Sequence, residues 1–128
     1  MDFCFHATDI SFDFDGPFQE KQTTLLKLRK HLDVVTLHMP LVIGAPGQSQ
    51  LTQAISVEPL PEEYRPSIEV NAPISIISND TYQDLPGEMR IRTNGFIEIS
   101  AACGNNTAFG LAEKNGWKSI SVSYVSTL

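Results

Sequence analysis

Short runs of alternating apolar and polar residues, separated by turn residues, extend along most of this 128-residue chain. Phe12 and Phe14 alternate with polar residues near the start, and Val122 and Tyr124 alternate with serines near the end. A period of two places successive side chains on opposite faces of a β-strand. About eight to ten such runs follow one another at intervals of roughly 8–12 residues, which predicts an antiparallel β-sandwich or barrel.

One stretch leaves two secondary structures open. Every second residue from Thr24 to Lys30 would share one face of a strand. Leu25, Leu28 and Leu32 also fit the spacing of a short helix. The preceding Thr23-Thr24 pair and the β-rich surroundings favour a strand.

The strongest local signal is Thr93-Asn94-Gly95, which stands between alternating runs at residues 89–92 and 96–99. Asn-Gly tolerates the positive φ angles of a type I′ turn, so the segment predicts a β-hairpin. Arg90 and Arg92 on one strand and Glu98 on the other are expected on a solvated face, where opposite charges are available for cross-strand pairing.

Three segments are predicted to be loops, at residues 44–50, 79–87 and 101–116, the last with a short edge strand at 108–111 left open. An exposed aromatic ring in such a loop can stack on the face of a sugar, and Tyr82 is the best candidate for one. Polar side chains of the same loops are the other candidates for receptor or glycan contact. The full set of candidates is Gln48, Tyr82, Asp84, Asn105 and Asn106.

Composition excludes several classes of function. Nine Lys and Arg residues against fifteen Asp and Glu residues give a net charge of −6, and the one basic grouping is Lys27-Leu28-Arg29-Lys30. Nucleic-acid binding is therefore not expected. No apolar run approaches the roughly 18 residues of a membrane span. Residues 1–6 lack the features of a secretory signal, so we expect synthesis in the cytoplasm and no membrane insertion.

The residue types that usually carry chemistry are dispersed. His6, His31 and His38 have no metal-site spacing, and no nucleophile or phosphate-loop motif is present. We therefore predict no enzymatic activity, no cofactor and no metal. Cys4 and Cys103 are too few for a disulfide framework, and whether they form a bridge is left open.

The segment Leu60-Pro61-Glu62-Glu63-Tyr64-Arg65-Pro66-Ser67 interrupts the β pattern near its middle. Two prolines five residues apart prevent it from continuing a helix or a central strand. The segment therefore predicts a fixed crossover between two blocks of strands. We interpret the blocks as two halves of one β-sandwich domain that spans residues 1–128.

Three segments together resemble the C-terminal domains of phage and viral fibre, baseplate and spike proteins. They are Val35-Thr36-Leu37 with Met39-Pro40, the crossover at residues 60–67, and Gly95-Phe96-Ile97-Glu98-Ile99 leading to Ile120-Ser121-Val122-Ser123-Tyr124. The resemblance covers roughly residues 34–125. It implies a jelly-roll-like sandwich of about 8–10 antiparallel strands, similar to the tumour-necrosis-factor fold, and a homotrimer. It transfers no catalytic or receptor-contact residue to this chain.

One departure from the fibre pattern is that only about thirty residues precede the resemblance, and these residues read as strands. This departure leaves open a complete small capsid-associated protein. Residues 37–43 and 74–77 also carry apolar side chains on more than one face, which predicts that a subunit interface covers the surplus.

These observations lead to a prediction of function. We expect a non-enzymatic virion protein that forms a symmetric oligomer and attaches to a host receptor or glycan. A minor capsid, cement or baseplate protein with a purely assembly role is the main alternative, and a free carbohydrate-binding module is a more distant one. The expected partners are copies of itself, other virion proteins and a host receptor or glycan.

Overall fold

The computed structural model describes residues 5–47, 51, 53–78, 81–101, 109 and 114–127, with the backbone alone at residues 5 and 81–85. In these ranges the chain forms ten strands and a single turn of 3₁₀ helix at Glu62–Tyr64. The strands are β1 (Phe5–Asp15), β2 (Gln22–His31), β3 (Val34–Met39), β4 (Val42–Gly44), β5 (Gln53–Ser56), β6 (Val70–Ser78), β7 (Thr81–Ile91), β8 (Ile97–Ser100), β9 (Asn115–Trp117) and β10 (Ile120–Val125).

The ten strands make one antiparallel sheet in the order β10-β3-β2-β1-β5-β8-β7-β6-β9-β4. The sheet curls on itself, so that β2 approaches β4 and β10 approaches β6. Its apolar inner faces then enclose a common core that includes Phe14, Leu37, Ile99 and Trp117. The predicted all-β, jelly-roll-like sandwich is confirmed.

Strand β2 settles the choice between strand and helix at residues 24–30. Leu26 and Leu28 are fully buried, whereas Leu25 on the opposite face of the strand is 44% exposed. Leu28 pairs with Thr8 of β1 on one side and with Leu37 of β3 on the other. The strand is confirmed, because two neighbouring strands satisfy its backbone and the alternation places one face in the core.

The predicted loop at residues 79–87 is wrong, because residues 81–87 are the first half of β7. Pro86 and Gly87 look like strand breakers in the sequence, but β7 pairs with β6 along this half, with Pro86 opposite Ser75. Strand β8 flanks β7 only from Glu88 to Ile91 in the described structure. Among the described residues, Pro86 therefore has a neighbouring strand on one side only, and a proline is tolerated at such an edge.

The predicted loop at residues 101–116 is also partly wrong. Asn115 and Gly116 belong to β9, which lies between β4 and β6. Asn115 is fully buried, and its Nδ2 donates a hydrogen bond of 3.1 Å to the carbonyl oxygen of Pro17. The small, polar residues gave no local signal for this strand, because only pairing with the distant strands β4 and β6 holds it in the sheet. The possible edge strand at 108–111 lies outside the described residues, except for the buried Phe109.

The hairpin of β7 and β8 is confirmed, with Ile91 opposite Ile97. The type of its turn is not the predicted one. The backbone N–H of Gly95 donates to the carbonyl of Arg92 at 2.8 Å, and the N–H of Arg92 donates to the carbonyl of Phe96 at 3.0 Å. Gly95 has a φ of +94°, whereas Asn94 has no positive φ. The connection is a three-residue loop with glycine at its left-handed position, so a type I′ turn is wrong.

Hydrogen bonds from strands on both sides of the crossover, before and after it in the chain, fix the segment at residues 60–67. Lys30 Nζ of β2 donates to the carbonyl oxygen of Glu63 at 2.8 Å. Tyr124 Oη of β10 donates to the carbonyl of Tyr64 at 2.6 Å, and burial raises the pKa of the Tyr124 phenol. The Leu60 N–H donates to Gly95 in the β7–β8 turn at 2.9 Å. The predicted fixed crossover is confirmed, since β2, β10 and the β7–β8 turn all bind its backbone.

Most of the apolar surplus that predicted a subunit interface lies in the core instead, although Leu41 is 45% exposed. Leu37 and Met39 are fully buried, and so are the consecutive residues Ile76 and Ile77. Both isoleucines can face the interior because the register of β6 against β7 shifts between Ile76 and Ser78. These residues are therefore not available for an interface.

Candidate functional site

A shallow groove runs over the outer surface of the β6–β7 pair. It encloses about 570 Å³ and is lined by Asn71, Ala72, Pro73, Ile74, Ser75, Pro86, Gly87 and Glu88. The groove lies where β7 extends beyond β8, so that β8 pairs with β7 at Glu88 but not at Pro86 or Gly87 in the described structure. Apolar walls with a few convergent polar groups are typical of small-ligand sites of this size.

The polar end of the groove is arranged around Arg90. Its Nη2 donates to Glu88 Oε1 at 2.9 Å, and its Nε donates to Asn71 Oδ1 at 3.2 Å. Arg90 Nε also lies 3.7 Å from Glu69 Oε2. The guanidinium group therefore fixes two side chains that line the groove, Asn71 and Glu88.

Beyond Arg90 the cluster continues to Arg92. Arg92 Nη1 lies 3.2 Å from Glu69 Oε1, and its Nε donates to Glu98 Oε2. The hydrogen bond to Glu98 raises the pKa of the Arg92 guanidinium. The predicted pairing between the strands is confirmed, although Glu98 pairs diagonally with Arg92 and not with Arg90, its direct neighbour in the register. The predicted solvated face is wrong at Glu98, which is only 9% exposed. Three carboxylates thus meet two guanidinium groups, and neither arginine has an uncompensated charge.

A second depression of about 490 Å³ lies on β5 and the adjoining segments. Leu51, Ile55 and Val57 line it and are each about two-fifths exposed (40%, 39% and 38%). Asp15, Gln53 and Ser56 add polar atoms at its border. The described side chains in this depression make no ion pair that would orient a ligand, so the β6–β7 groove is the better-organised site.

The five residues predicted from the sequence are only partly placed. Tyr82 and Asp84 lie in β7, four and two positions before Pro86, so the predicted residues and the groove share a strand. Their side chains lie outside the described residues, as do Gln48, Asn105 and Asn106 altogether.

Sequence reasoning missed Asn71, Pro73 and Glu88. The sequence did contain a signal for them, because Pro73 and Pro86 each interrupt a β-like run. A proline inside a strand marks a sheet edge or a special site.

Two further sets of residues can be placed. The basic sequence Lys27-Leu28-Arg29-Lys30 does not make one patch, because Lys30 faces inward and is only 6% exposed while Lys27 and Arg29 face outward. Within the described ranges, no three His, Cys, Asp or Glu side chains lie close enough together to hold a metal ion. In the same ranges, no helix has the length and apolarity that crossing a membrane requires.

Comparison with known proteins shows a similar fold but does not assign the chain to a family. No protein-family model matches the chain, and no curated protein matches it in sequence. Among solved structures, the chain is similar to that of the reovirus attachment protein sigma1, determined in complex with α-2,3-sialyllactose. The TM-score is 0.55 at 15% sequence identity, over 97% of this chain and 66% of that chain.

The curled antiparallel sheet therefore has the β-rich fold of a viral attachment protein. The similarity covers 66% of the sigma1 chain, so the present chain matches about two thirds of its length.

Proposed function

We propose that this chain is the head of a virion attachment protein and that it binds a host glycan in the β6–β7 groove. The observation that carries the proposal is the groove itself, in which Arg90 orients Asn71 and Glu88 beside two proline rings. The shared fold supports it, because the similar structure is a viral attachment protein in complex with sialyllactose. We also infer one domain over residues 1–128 and a place in the virion.

The groove suits the neutral part of a glycan. The C–H surface of a sugar ring can pack on the apolar faces of Pro73 and Pro86, which lie on neighbouring strands. The amide of Asn71 and the carboxylate of Glu88 can exchange hydrogen bonds with sugar hydroxyls. Because Glu88 is already fixed by Arg90, little side-chain entropy is lost on binding. In this proposal Tyr82 and Asp84 extend the site along β7.

A glycan array tests the groove directly. Beads coated with the protein should bind a subset of glycans, since multivalent display compensates for weak single contacts. Asn71→Ala and Glu88→Ala should each weaken that binding about tenfold, the effect of losing one good hydrogen bond.

Glu20→Ala is the matched control, because Glu20 is exposed and does not line the groove. Equal binding by all four proteins would contradict the role of the groove. Failure to bind any glycan or cell, together with tight incorporation into particles, would favour the purely assembly role.

We further propose that the chain forms a homotrimer. Val34 and Val125 are direct cross-strand partners, 47% and 52% exposed, on the outer face of β3 and β10. Leu32, 60% exposed, lies in the turn just before β3. Ile68, 80% exposed, follows Ser67, whose backbone N–H donates to the carbonyl oxygen of Val125. Surfaces of this kind are typical of protein contacts. Light scattering should give the mass of three chains, and the mass of one chain at high protein concentration would contradict the proposal.

A further inference from the structure

The outer face of β2, β3 and β10 carries a regular array of polar side chains. Two rows cross the strands: Lys27 pairs with His38 and His38 with Ser121, while Arg29 pairs with Thr36 and Thr36 with Ser123. We call these six residues the platform. All of them are exposed except His38, which is half-buried. The next row on the same face contains Val34 and Val125, which the trimer proposal places in a subunit contact, so the platform lies at the border of that contact and faces solvent beside it.

Hydrogen bonds hold the polar atoms of the platform in place. His38 Nδ1 and Ser121 Oγ share a hydrogen bond of 2.7 Å, and Thr36 Oγ1 and Ser123 Oγ share one of 3.1 Å. Neighbouring strands lie about 4.8 Å apart, and alternate residues along a strand lie about 6.8 Å apart. The platform is therefore an array about the size of one or two sugar rings.

The charge of the platform differs from that of the β6–β7 groove. Lys27 lies opposite Asp9, whereas Arg29 lies between Ala7 and Thr36, which are both uncharged. Neither Lys27 nor Arg29 has a side-chain partner within the part of the chain that the structure describes. Among the described residues, Arg29 thus has no carboxylate partner, while Arg90 and Arg92 are bound to carboxylates of this chain.

We propose that the platform binds the carboxylate of an acidic sugar, with Arg29 as its main contact. The planar guanidinium group forms paired hydrogen bonds with a carboxylate, and the hydroxyls of Thr36 and Ser123 lie next to it for the hydroxyls of the same sugar. With only two cations and Asp9 nearby, the face suits a single carboxylate better than a polyanion such as a nucleic acid. The inference deepens the proposed function and rests on it.

An NMR titration of the ¹⁵N-labelled protein tests this inference. The probes are the α-methyl glycoside of N-acetylneuraminic acid and, as its neutral counterpart, N-acetylglucosamine. The acidic sugar should shift amide signals of residues 25–31, 34–38 and 120–124, and the neutral sugar should not. Arg29→Ala should weaken binding about tenfold or more, and Arg29→Lys should restore part of it. Thr36→Val should weaken it without a change in charge.

Lys21→Ala is the matched control, because Lys21 is an exposed cation outside the platform. Signals that shift at residues 71–75 and 86–90 instead, with unchanged affinity in Arg29→Ala, would overturn the platform and leave the proposed attachment role standing. Shifts at the platform together with groove variants that bind glycans normally would support the platform and contradict the groove. No shift with either sugar would overturn the inference.

Discussion

Replacing Gly116 with alanine is expected to lower the free energy of unfolding by about 3 kcal/mol, at the upper end of the usual cost of overpacking. A Cβ atom at residue 116 would lie 1.8 Å from the carbonyl oxygen of Val42, which is a backbone atom of the neighbouring strand β4. A backbone cannot move aside as a flexible side chain can. Strand β4 would therefore have to separate from β9, and urea unfolding measures the loss.

Gly44→Ala is the control for this substitution. Gly44 lies in the same strand pair, one position from the residue opposite Gly116. The three atoms nearest to a Cβ atom there all belong to the end of the Gln22 side chain, which can rotate away. We expect a loss below about 1 kcal/mol for Gly44→Ala. Similar losses in the two variants would show that β4 does not contact β9 as closely as described.

Replacing Trp117 with alanine should have the largest effect on stability, a loss of about 3–5 kcal/mol. Trp117 is fully buried, and its ring meets Phe14 edge-on with centroids 5.1 Å apart and Phe18 at 5.8 Å. The indole thus joins β9 to β1 and to the segment that follows β1. Thermal or urea unfolding should show the loss as a marked fall in the transition midpoint.

Two further substitutions serve as comparisons for the loss of stability in Trp117→Ala. Trp117→Phe keeps an aromatic ring and removes the indole Nε1–H, which has no hydrogen-bond partner among the described residues, so its cost should be clearly smaller. Ile68→Ala removes an apolar side chain that is 80% exposed and should change stability by less than about 0.5 kcal/mol. A Trp117→Ala variant as stable as Ile68→Ala would mean that the core is not centred on this ring.

Alternation and turn residues predict most of the fold. Strand β10 and the β7–β8 hairpin follow from local pattern alone, and strand β2 follows once its β-rich surroundings are considered. The first half of β7 and all of β9 do not follow. Pro86, Gly87 and Asn115-Gly116 favour loops locally, and pairing with β6 overrides that preference. Long-range pairing of this kind is not visible in a single sequence.

The candidate sites were harder to predict than the fold. Loops were expected to contact a receptor, yet the best-organised surfaces of the described structure lie on strands. The groove depends on Asn71 of β6 meeting Arg90 of β7, nineteen residues later in the chain. The platform depends on Thr36 meeting Ser123, eighty-seven residues later. Both sites form only when the strands pair in a particular register, and this register cannot be predicted from the composition.

In the attachment proposal, the groove and the platform bind different parts of a glycan. The groove has its arginines bound to three carboxylates and offers hydroxyl-binding groups, whereas the platform offers the guanidinium group of Arg29, which no carboxylate of the described residues binds. A glycan with neutral and acidic sugars could use either surface through different residues. Because salt screens exposed charges, binding at the platform should weaken as ionic strength rises, and binding at the groove should change little.

Binding of protein-coated beads to a surface that carries α-2,3-sialyllactose tests the attachment proposal most directly. We expect saturable binding that falls when the surface is treated with sialidase and falls further when the neutral sugars are removed. Free sialyllactose in solution should compete. Binding no greater than that of beads coated with an unrelated protein, on this surface and across an array of other glycans, would contradict the attachment role.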